Sequence, residues 1–106
     1  LTGKYINKTE ENTRLGLYGD WFTRYSNENC LNAVKEYSKI ANKYNISLTH
    51  LALAFVNTRP FVASNIIGAT TMKQLKENIA SIDIDLSEEI LEEINEVHLN
   101  QPNPAP

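Results

Sequence analysis

The sequence contains few residues of several types, and each shortage excludes a class of protein. Its one cysteine, Cys30, cannot form a disulfide within the chain, so a reducing cytoplasm is the expected compartment. The longest apolar run, Leu51 to Val56, is far shorter than the ~20 residues of a membrane-spanning helix. The formal net charge of -3 argues against nucleic acid as the partner, because phosphate backbones select strongly basic surfaces. The two histidines, His50 and His98, lie too far apart for a recognisable metal motif.

The overall amino-acid composition is typical of a globular domain. Hydrophobic residues make up 42% of the chain and charged residues 22%, which excludes intrinsic disorder. A length of 106 residues is sufficient for one modest hydrophobic core. The first residue is Leu1 rather than methionine and no signal peptide precedes it, so we expect a processed or truncated piece of a longer protein.

The stretch Ser64 to Asn78, SNIIGATTMKQLKEN, has the order strand, turn, helix. Its apolar start predicts a strand over Phe61 to Ile67, which Gly68 ends. A helix is predicted over about Met72 to Ser81. At about 100° per residue its apolar side chains share one face, which is expected to pack on a sheet. That face consists of Met72, Leu75 and Ile79.

The start of this helix carries the features of an anion site. Either Thr70 or Thr71 can serve as N-cap, and Thr71 with Gln74 fits the capping box. The first-turn N–H groups and the positive end of the helix dipole favour an anion, above all a phosphate. An ordinary strand-to-helix turn without a ligand has the same pattern, and so short a motif often matches by chance.

The first half of the chain predicts a long connection followed by two helices. Residues 1–27 show no sustained periodicity but carry several aromatics, so we expect this loop to be ordered when it packs on a surface. Apolar spacings of three and four predict a helix over Glu28 to Tyr44, capped by Asn27 or Ser26. Ser47 opens a second helix, roughly Leu48 to Asn57, which is apolar on nearly every side.

The end of the chain predicts one more helix and a tail. Ile82 to Leu86 alternates apolar and acidic residues, which suggests an extended link or a short edge strand. Ser87 caps a helix to about His98, whose glutamates are interpreted as a solvated face rather than a catalytic pair. The proline-rich residues 101–106 are predicted to form a stiff, exposed tail.

A single strand with adjacent isoleucines requires partner strands on both edges and cover on both faces, as in a parallel sheet. The remaining sequence supplies no such partners. The chain is therefore expected to be the closing segment of an α/β protein whose other strands lie upstream.

Several motifs, in order, give this chain a specific resemblance. The run IIGATTMKQLKENI, preceded by ISLTHLALAFVNTRPFVAS and by LTGKY, resembles the C-terminal part of the aldo-keto reductases over essentially the whole chain. FTRYS and the Pro-Ala-Pro ending are similar to a bacterial NADP(H)-dependent branch of that family. The resemblance implies an α/β fold: the C-terminal portion of a (β/α)8 TIM barrel, mostly helical with one strand in this fragment. It divides the chain into a cofactor-side loop (1–27), two helices (28–60), the last strand and its helix (61–81), a C-terminal helix (87–99) and a tail (100–106).

The resemblance also implies an NADP(H) site at the adenosine end of the cofactor. Gly68 would allow close backbone approach, Thr70 would donate a hydroxyl to phosphate, and Gln74 would lie beside the ribose phosphate. Glu77 and Asn78 would bond the adenine. We call these five residues, Gly68, Thr70, Gln74, Glu77 and Asn78, the nucleotide clasp.

Two basic residues of the first loop match family positions as well. Lys4 and Arg14 correspond to contacts with the pyrophosphate and the 2′-phosphate. Many relatives carry an arginine where this chain has Gln74 and a lysine near Ala69, and this departure weakens the implied preference for NADP over NAD.

The resemblance further implies that the parent protein transfers a hydride from NADPH to an aldehyde or ketone. The catalytic residues of the family come from earlier strands, so none is assigned here, and the fragment alone is expected to be inactive. Its expected partners are the missing N-terminal part of the barrel, a small carbonyl substrate and, through exposed apolar surface, other copies. Two alternatives stay open: a non-catalytic nucleotide-binding or regulatory module on the same barrel, and a helical interaction domain without a ligand.

Overall fold

A computed structural model describes residues 1–3, 14–18, 21 and 23–106, in which the regular structure is helical. The four helices predicted from periodicity are confirmed within about two residues at each end, and a fifth, short helix lies in the first loop. Within the described residues the α-helices are α1 (Arg14–Tyr18), α2 (Glu28–Lys43), α3 (Leu48–Asn57), α4 (Met72–Ala80) and α5 (Glu88–Asn100).

Each of the four long helices begins with a side-chain cap, as the sequence predicts. In every case the oxygen of the cap accepts a hydrogen bond from the backbone N–H three residues later, which satisfies one of the four unpaired donors of the first turn. The N–H of Cys30 donates to Asn27, that of His50 to Ser47, that of Gln74 to Thr71 and that of Ile90 to Ser87.

Helix α2 ends in a Schellman motif that turns the chain toward α3. Asn45 has a positive φ of 53°. Its N–H bonds the carbonyl of Asn42 at 3.2 Å, and the N–H of Ile46 bonds the carbonyl of Ala41 at 3.0 Å. These are the two hydrogen bonds that define the motif, and asparagine tolerates the left-handed conformation it requires.

The buried core is formed by α2, α3 and α5. Ile40 and Ala41 of α2, Leu51 of α3, and Ile90 and Ile94 of α5 form one cluster of buried side chains. Seven partly buried side chains from these helices and from the segments beside them pack around it: Tyr37, Tyr44, Ile46, Leu48, Phe55, Leu86 and Val97.

The predicted strand over Phe61 to Ile67 is wrong for this structure, since no strand occurs among residues 1–3, 14–18, 21 and 23–106. A strand is defined by the ladder it makes with a neighbour, and no neighbouring ladder is present in that part of the chain. Ile66 is consequently 93% exposed.

Two other segments also differ from prediction. Ser81–Asp83 forms a 3-10 turn, so the extended link predicted over Ile82 to Leu86 begins only at Ile84, whose backbone is extended. Within the loop predicted to lack regular structure, Arg14–Tyr18 is a short helix and Thr23–Tyr25 is a 3-10 turn. The aromatic side chain of Trp21 is 88% exposed, so the described residues provide no surface that covers it.

The C-terminal tail is tied to the body of the chain rather than free. Asn27 Nδ2 donates to the carbonyl of Arg24 at 2.7 Å and to the carbonyl of Pro104 at 3.0 Å, while its Oδ1 caps α2. Pro104 and Ala105 are half-buried. The prediction of an exposed tail is therefore wrong in part, because one asparagine side chain joins the loop, the start of α2 and the tail.

A charged cluster joins the end of α2 to α5. Glu93 Oε1 accepts hydrogen bonds from Lys43 Nζ and, at 2.8 Å, from the hydroxyl of Tyr44. The hydrogen bond from Lys43, and to a lesser extent the one from Tyr44, lowers the pKa of Glu93 below its ordinary value. The same hydrogen bond to Glu93 raises the pKa of Lys43.

These shifts predict a pH dependence for the contribution of this cluster to stability. A carboxylate with a lowered folded-state pKa stabilises the fold above its unfolded pKa of about 4.3 and loses that contribution as pH falls through the folded value. Lysine with a raised pKa stabilises the fold below about pH 10.4 and loses its contribution as pH rises through the folded value. The difference in unfolding free energy between wild type and Glu93→Gln should be small and constant between these limits, and should shrink outside them.

Urea denaturation from about pH 3 to about pH 11 would measure this difference. Glu96→Gln, on an exposed side chain one turn further along α5, is the matched control. An equal pH profile for the two variants would contradict the role of Glu93.

None of the helices in the described ranges is both long enough and apolar enough to cross a bilayer.

Candidate functional site

The N-terminus of α4 is built around the side chain of Gln74. Its Oε1 accepts hydrogen bonds from the Thr70 N–H at 2.8 Å, the Thr70 hydroxyl at 2.9 Å and the Thr71 N–H at 3.3 Å. In return the Gln74 N–H donates to the Thr71 hydroxyl at 3.2 Å, which completes the predicted capping box. Because Oε1 is fully used, the Nε2 amide is the part of Gln74 left to donate to a ligand.

The first turn of α4 also presents backbone donors. The Gln74 and Leu75 N–H groups bond the hydroxyl and carbonyl of Thr71. The N–H groups of Met72 and Lys73 have no acceptor among the residues that the structure describes. No acidic residue lies in this turn, and Thr70 and Gln74 are both exposed. The helix end therefore presents donors and partial positive charge to the outside.

Gly68 lies just before this turn and leaves room beside the backbone. A Cβ built on it would meet no atom within 4 Å, and its φ is not positive. The backbone conformation therefore does not require glycine here, and the open space beside it would admit a ligand. The Gly68 carbonyl accepts a hydrogen bond from Asn78 Nδ2 at 3.1 Å, which ties this segment to α4.

Glu77 is held to the N-terminus of α3 by two contacts. Its Oε1 accepts a hydrogen bond from the Ser47 hydroxyl at 2.8 Å, and its backbone carbonyl lies 2.8 Å from His50 Nε2. A carbonyl oxygen can only accept, so His50 Nε2 carries the proton and donates it. Sequence reasoning identified Ser47 as the start of α3 and found no metal motif at His50, but it missed the contacts of both residues with Glu77.

The apolar face predicted for α4 is largely uncovered. This helix has no buried residue; Met72 is 66% exposed and Ile79 is 58% exposed, whereas Leu75 is half-buried. The prediction that this face packs on a sheet is not met in the described residues. The polar bonds from Ser47, His50 and Gly68 are therefore prominent among the contacts that hold α4 in place.

A shallow groove of about 180 Å³ runs between α3 and the segment before α4. It is smaller than the pockets that enclose small ligands, which measure about 300–1,000 Å³. Gly68 and Asn78 line it, whereas Thr70 and Gln74 lie outside it. Its remaining lining residues are Leu1, Thr2, Thr49, Ala52, Leu53, Ile66 and Ile67.

The predicted roles of the two basic residues of the first loop concern side chains outside the described part of the structure. Lys4 lies outside the described residues. Arg14 begins α1, and its side chain is likewise outside what the structure describes. The five residues of the nucleotide clasp lie on α4 or in the segment just before it, where Thr70 bonds Gln74 and Asn78 bonds Gly68.

Comparison with known proteins gives this arrangement its family. The sequence profile of the Aldo/keto reductase family matches residues 1–99. The chain belongs to the aldo/keto reductase family. Members of this family generally use nicotinamide cofactors, and the family implies a TIM barrel fold.

Proteins with sequences similar to this chain carry names that refer to different functions. Protein tas of Escherichia coli is 46% identical over 106 residues, which cover 100% of this chain and 31% of that protein. An aldo-keto reductase of Babesia bovis is 37% identical over 98% of this chain and 38% of its own length. A putative voltage-gated potassium channel subunit beta of Schizosaccharomyces pombe is 36% identical over 92% of this chain and 30% of its own length. This aldo/keto reductase chain thus spans about a third of the length of the curated relatives it matches.

Proposed function

We propose that the full-length protein containing this chain transfers a hydride from NADPH to an aldehyde or ketone carbonyl. In this proposal the chain holds the adenosine and 2′-phosphate end of the cofactor through the nucleotide clasp. The proposal rests on family membership and on one observation, the exposed N-terminus of α4 with its unused N–H donors. Ligands of TIM barrels bind at the carboxyl ends of the strands, which is where the segment before α4 would lie in the complete barrel.

The start of α4 has donors suited to a phosphate, both in the clasp and in the backbone beside it. The backbone N–H groups of Met72 and Lys73, the hydroxyl of Thr70 and the Nε2 amide of Gln74 would face a phosphate. The Thr70 hydroxyl now donates to Gln74, but it can rotate toward a stronger, charged acceptor. Gly68 would admit the nucleotide beside its backbone, because no atom occupies the space where a side chain would lie.

The adenine side of the clasp keeps unused polar atoms as well. Ser47 bonds Oε1 of Glu77, which leaves Oε2 free to accept from the exocyclic amino group of adenine. Asn78 uses Nδ2 to bond the Gly68 carbonyl, which leaves Oδ1 as an acceptor. Both remaining atoms are acceptors, so they suit the two hydrogens of the adenine amino group.

When bound, the nicotinamide would supply the hydride, while the protein supplies binding and orientation. We assign the proton donor and the substrate pocket to the upstream part of the barrel, as the residues of this chain contain no matching motif. The same upstream part would cover the exposed Ile66, Met72 and Ile79; a chain without it would bury them against another copy. We propose a reducing cytoplasm as its compartment, in keeping with the single cysteine.

Titration of the full-length protein with NADPH, followed by the fluorescence of the reduced cofactor, tests the proposal. We expect saturable binding with a Kd in the micromolar range or below, and loss of NADPH absorbance only after an aldehyde is added. Absence of saturable binding to NADPH and NADH alike would contradict the cofactor site. Binding without turnover of any aldehyde or ketone would leave a nucleotide sensor instead of an enzyme.

A further inference from the structure

The position of Glu77 depends on a second helix, since α4 itself buries no residue. The contacts that reach it come from the first turn of α3, where Ser47 bonds its carboxylate and His50 bonds its carbonyl. One bond fixes the side chain and the other fixes the backbone. Together they determine both the direction of the carboxylate and the location of this turn of α4.

The bond from His50 satisfies a carbonyl at the end of α4. In a continued helix the Glu77 carbonyl would accept from the N–H of Ser81. Here the Ser81 N–H bonds the carbonyls of Asn78 and Ile79 as the chain tightens into a 3-10 turn. His50 Nε2 supplies the donor for Glu77 in its place, 27 residues away along the chain.

Ser47 performs two tasks with one hydroxyl group. Its oxygen accepts the N–H of His50 at 3.1 Å, which caps α3, and its proton goes to Glu77. A hydroxyl can accept and donate at once, whereas a carboxylate at this position could only accept. The two tasks are therefore separable by substitution.

We propose that Ser47 and His50 are positioning residues for the adenine end of the nucleotide clasp, acting through Glu77. This inference rests on the proposed function, because Glu77 matters to a ligand only if the clasp holds a nucleotide. The adenine is common to NADPH and NADH, so both cofactors should depend equally on these two residues. The reacting nicotinamide lies at the other end of the cofactor, so kcat at saturation should be unchanged.

The test compares Ser47→Asp with Ser47→Thr in the full-length protein. Aspartate retains the helix cap but places a carboxylate against Glu77, whereas threonine retains the cap and the donor. For Ser47→Asp we expect the Kd of NADPH and of NADH to rise by about tenfold each, in line with loss of one charge-assisted hydrogen bond. Ser47→Thr should bind both cofactors with wild-type affinity, and neither variant should change kcat.

A second pair of variants tests His50, and a double variant tests whether Ser47 acts through Glu77. His50→Phe removes the donor and keeps a ring, while His50→Gln keeps an N–H donor; the first should weaken both cofactors and the second should not. In a Glu77→Ala background, Ser47→Asp should cause no further loss, because its target is gone. An equal further loss in that background would refute positioning through Glu77.

The outcomes separate this inference from the proposed function. If the wild-type protein binds neither cofactor, the proposed function fails and this inference with it. If the wild type binds both but Ser47→Asp and His50→Phe leave both Kd values unchanged, only the positioning role fails. If Ser47→Asp lowers the melting temperature sharply, the comparison of His50→Phe with His50→Gln tests the positioning role instead: unchanged Kd values for both would refute it. Circular dichroism checks that these variants are folded.

Discussion

Replacing Gln74 by glutamate is expected to weaken NADPH binding by about tenfold to a hundredfold while changing NADH binding by less than about threefold. The substitution keeps the shape of the side chain. It replaces the Nε2 amide, the part of Gln74 that remains available to a ligand, with a charged oxygen. A negative charge there would repel the 2′-phosphate that NADPH has and NADH lacks.

The same change should leave the helix start intact, which makes the result interpretable. A glutamate oxygen can accept the three hydrogen bonds that Gln74 Oε1 accepts now, and a carboxylate in the first turn favours the helix dipole. The melting temperature of the full-length protein should therefore stay the same or rise slightly.

Fluorescence titration with both cofactors measures this effect. Asn95→Asp on α5 is the matched control, since it makes the same amide-to-carboxylate change at an exposed position outside the nucleotide clasp. Equal weakening of NADPH and NADH by Gln74→Glu would refute the assignment of Gln74 to the 2′-phosphate.

Replacing Leu51 by alanine is expected to lower the free energy of unfolding by about 2–5 kcal/mol. Leu51 is 2% exposed and belongs to the cluster that joins α2, α3 and α5. Removing its isopropyl group would leave a cavity where Ile40, Ile90 and Ile94 now pack. Because these helices belong to this chain, the loss should appear in the full-length protein as well.

Equilibrium unfolding in urea would measure the change. Leu99→Ala on α5 is the control, because Leu99 is 69% exposed and its truncation should cost no more than about 0.5 kcal/mol. If both variants lost the same free energy, the buried cluster would not be the source of stability that the structure indicates.

Helix starts could be predicted from the sequence because they depend on neighbours in the chain. Thr71 and Gln74 satisfy each other across three positions, so the capping box of α4 follows from two residue types at one spacing. Asn27, Ser47 and Ser87 cap their helices in one direction only, each accepting the backbone N–H three residues later, which is an equally local rule. The apolar spacings of α2 and α5 are equally local, and Ala41, Ile90 and Ile94 on those faces are buried.

Contacts between elements far apart in the chain were outside the reach of such patterns. Ser47 and Glu77 lie 30 positions apart, and Asn27 and Pro104 lie 77 apart. No periodicity or cap rule relates residues at those separations. The serine and the asparagine were recognised as caps, but the second hydrogen bond of each side chain depends on where another element packs.

The sequence by itself determined where the four long helices begin, which faces of α2 and α5 are apolar, and the family to which the chain belongs. These features arise from residue types at short spacings, which act before any tertiary structure forms. The tertiary structure decided that Phe61 to Ile67 makes no strand, that Glu77 is held by α3 and that the tail returns to Asn27. A sheet ladder and a hydrogen bond between distant elements each require two partners, and only the folded chain determines whether the second partner is present.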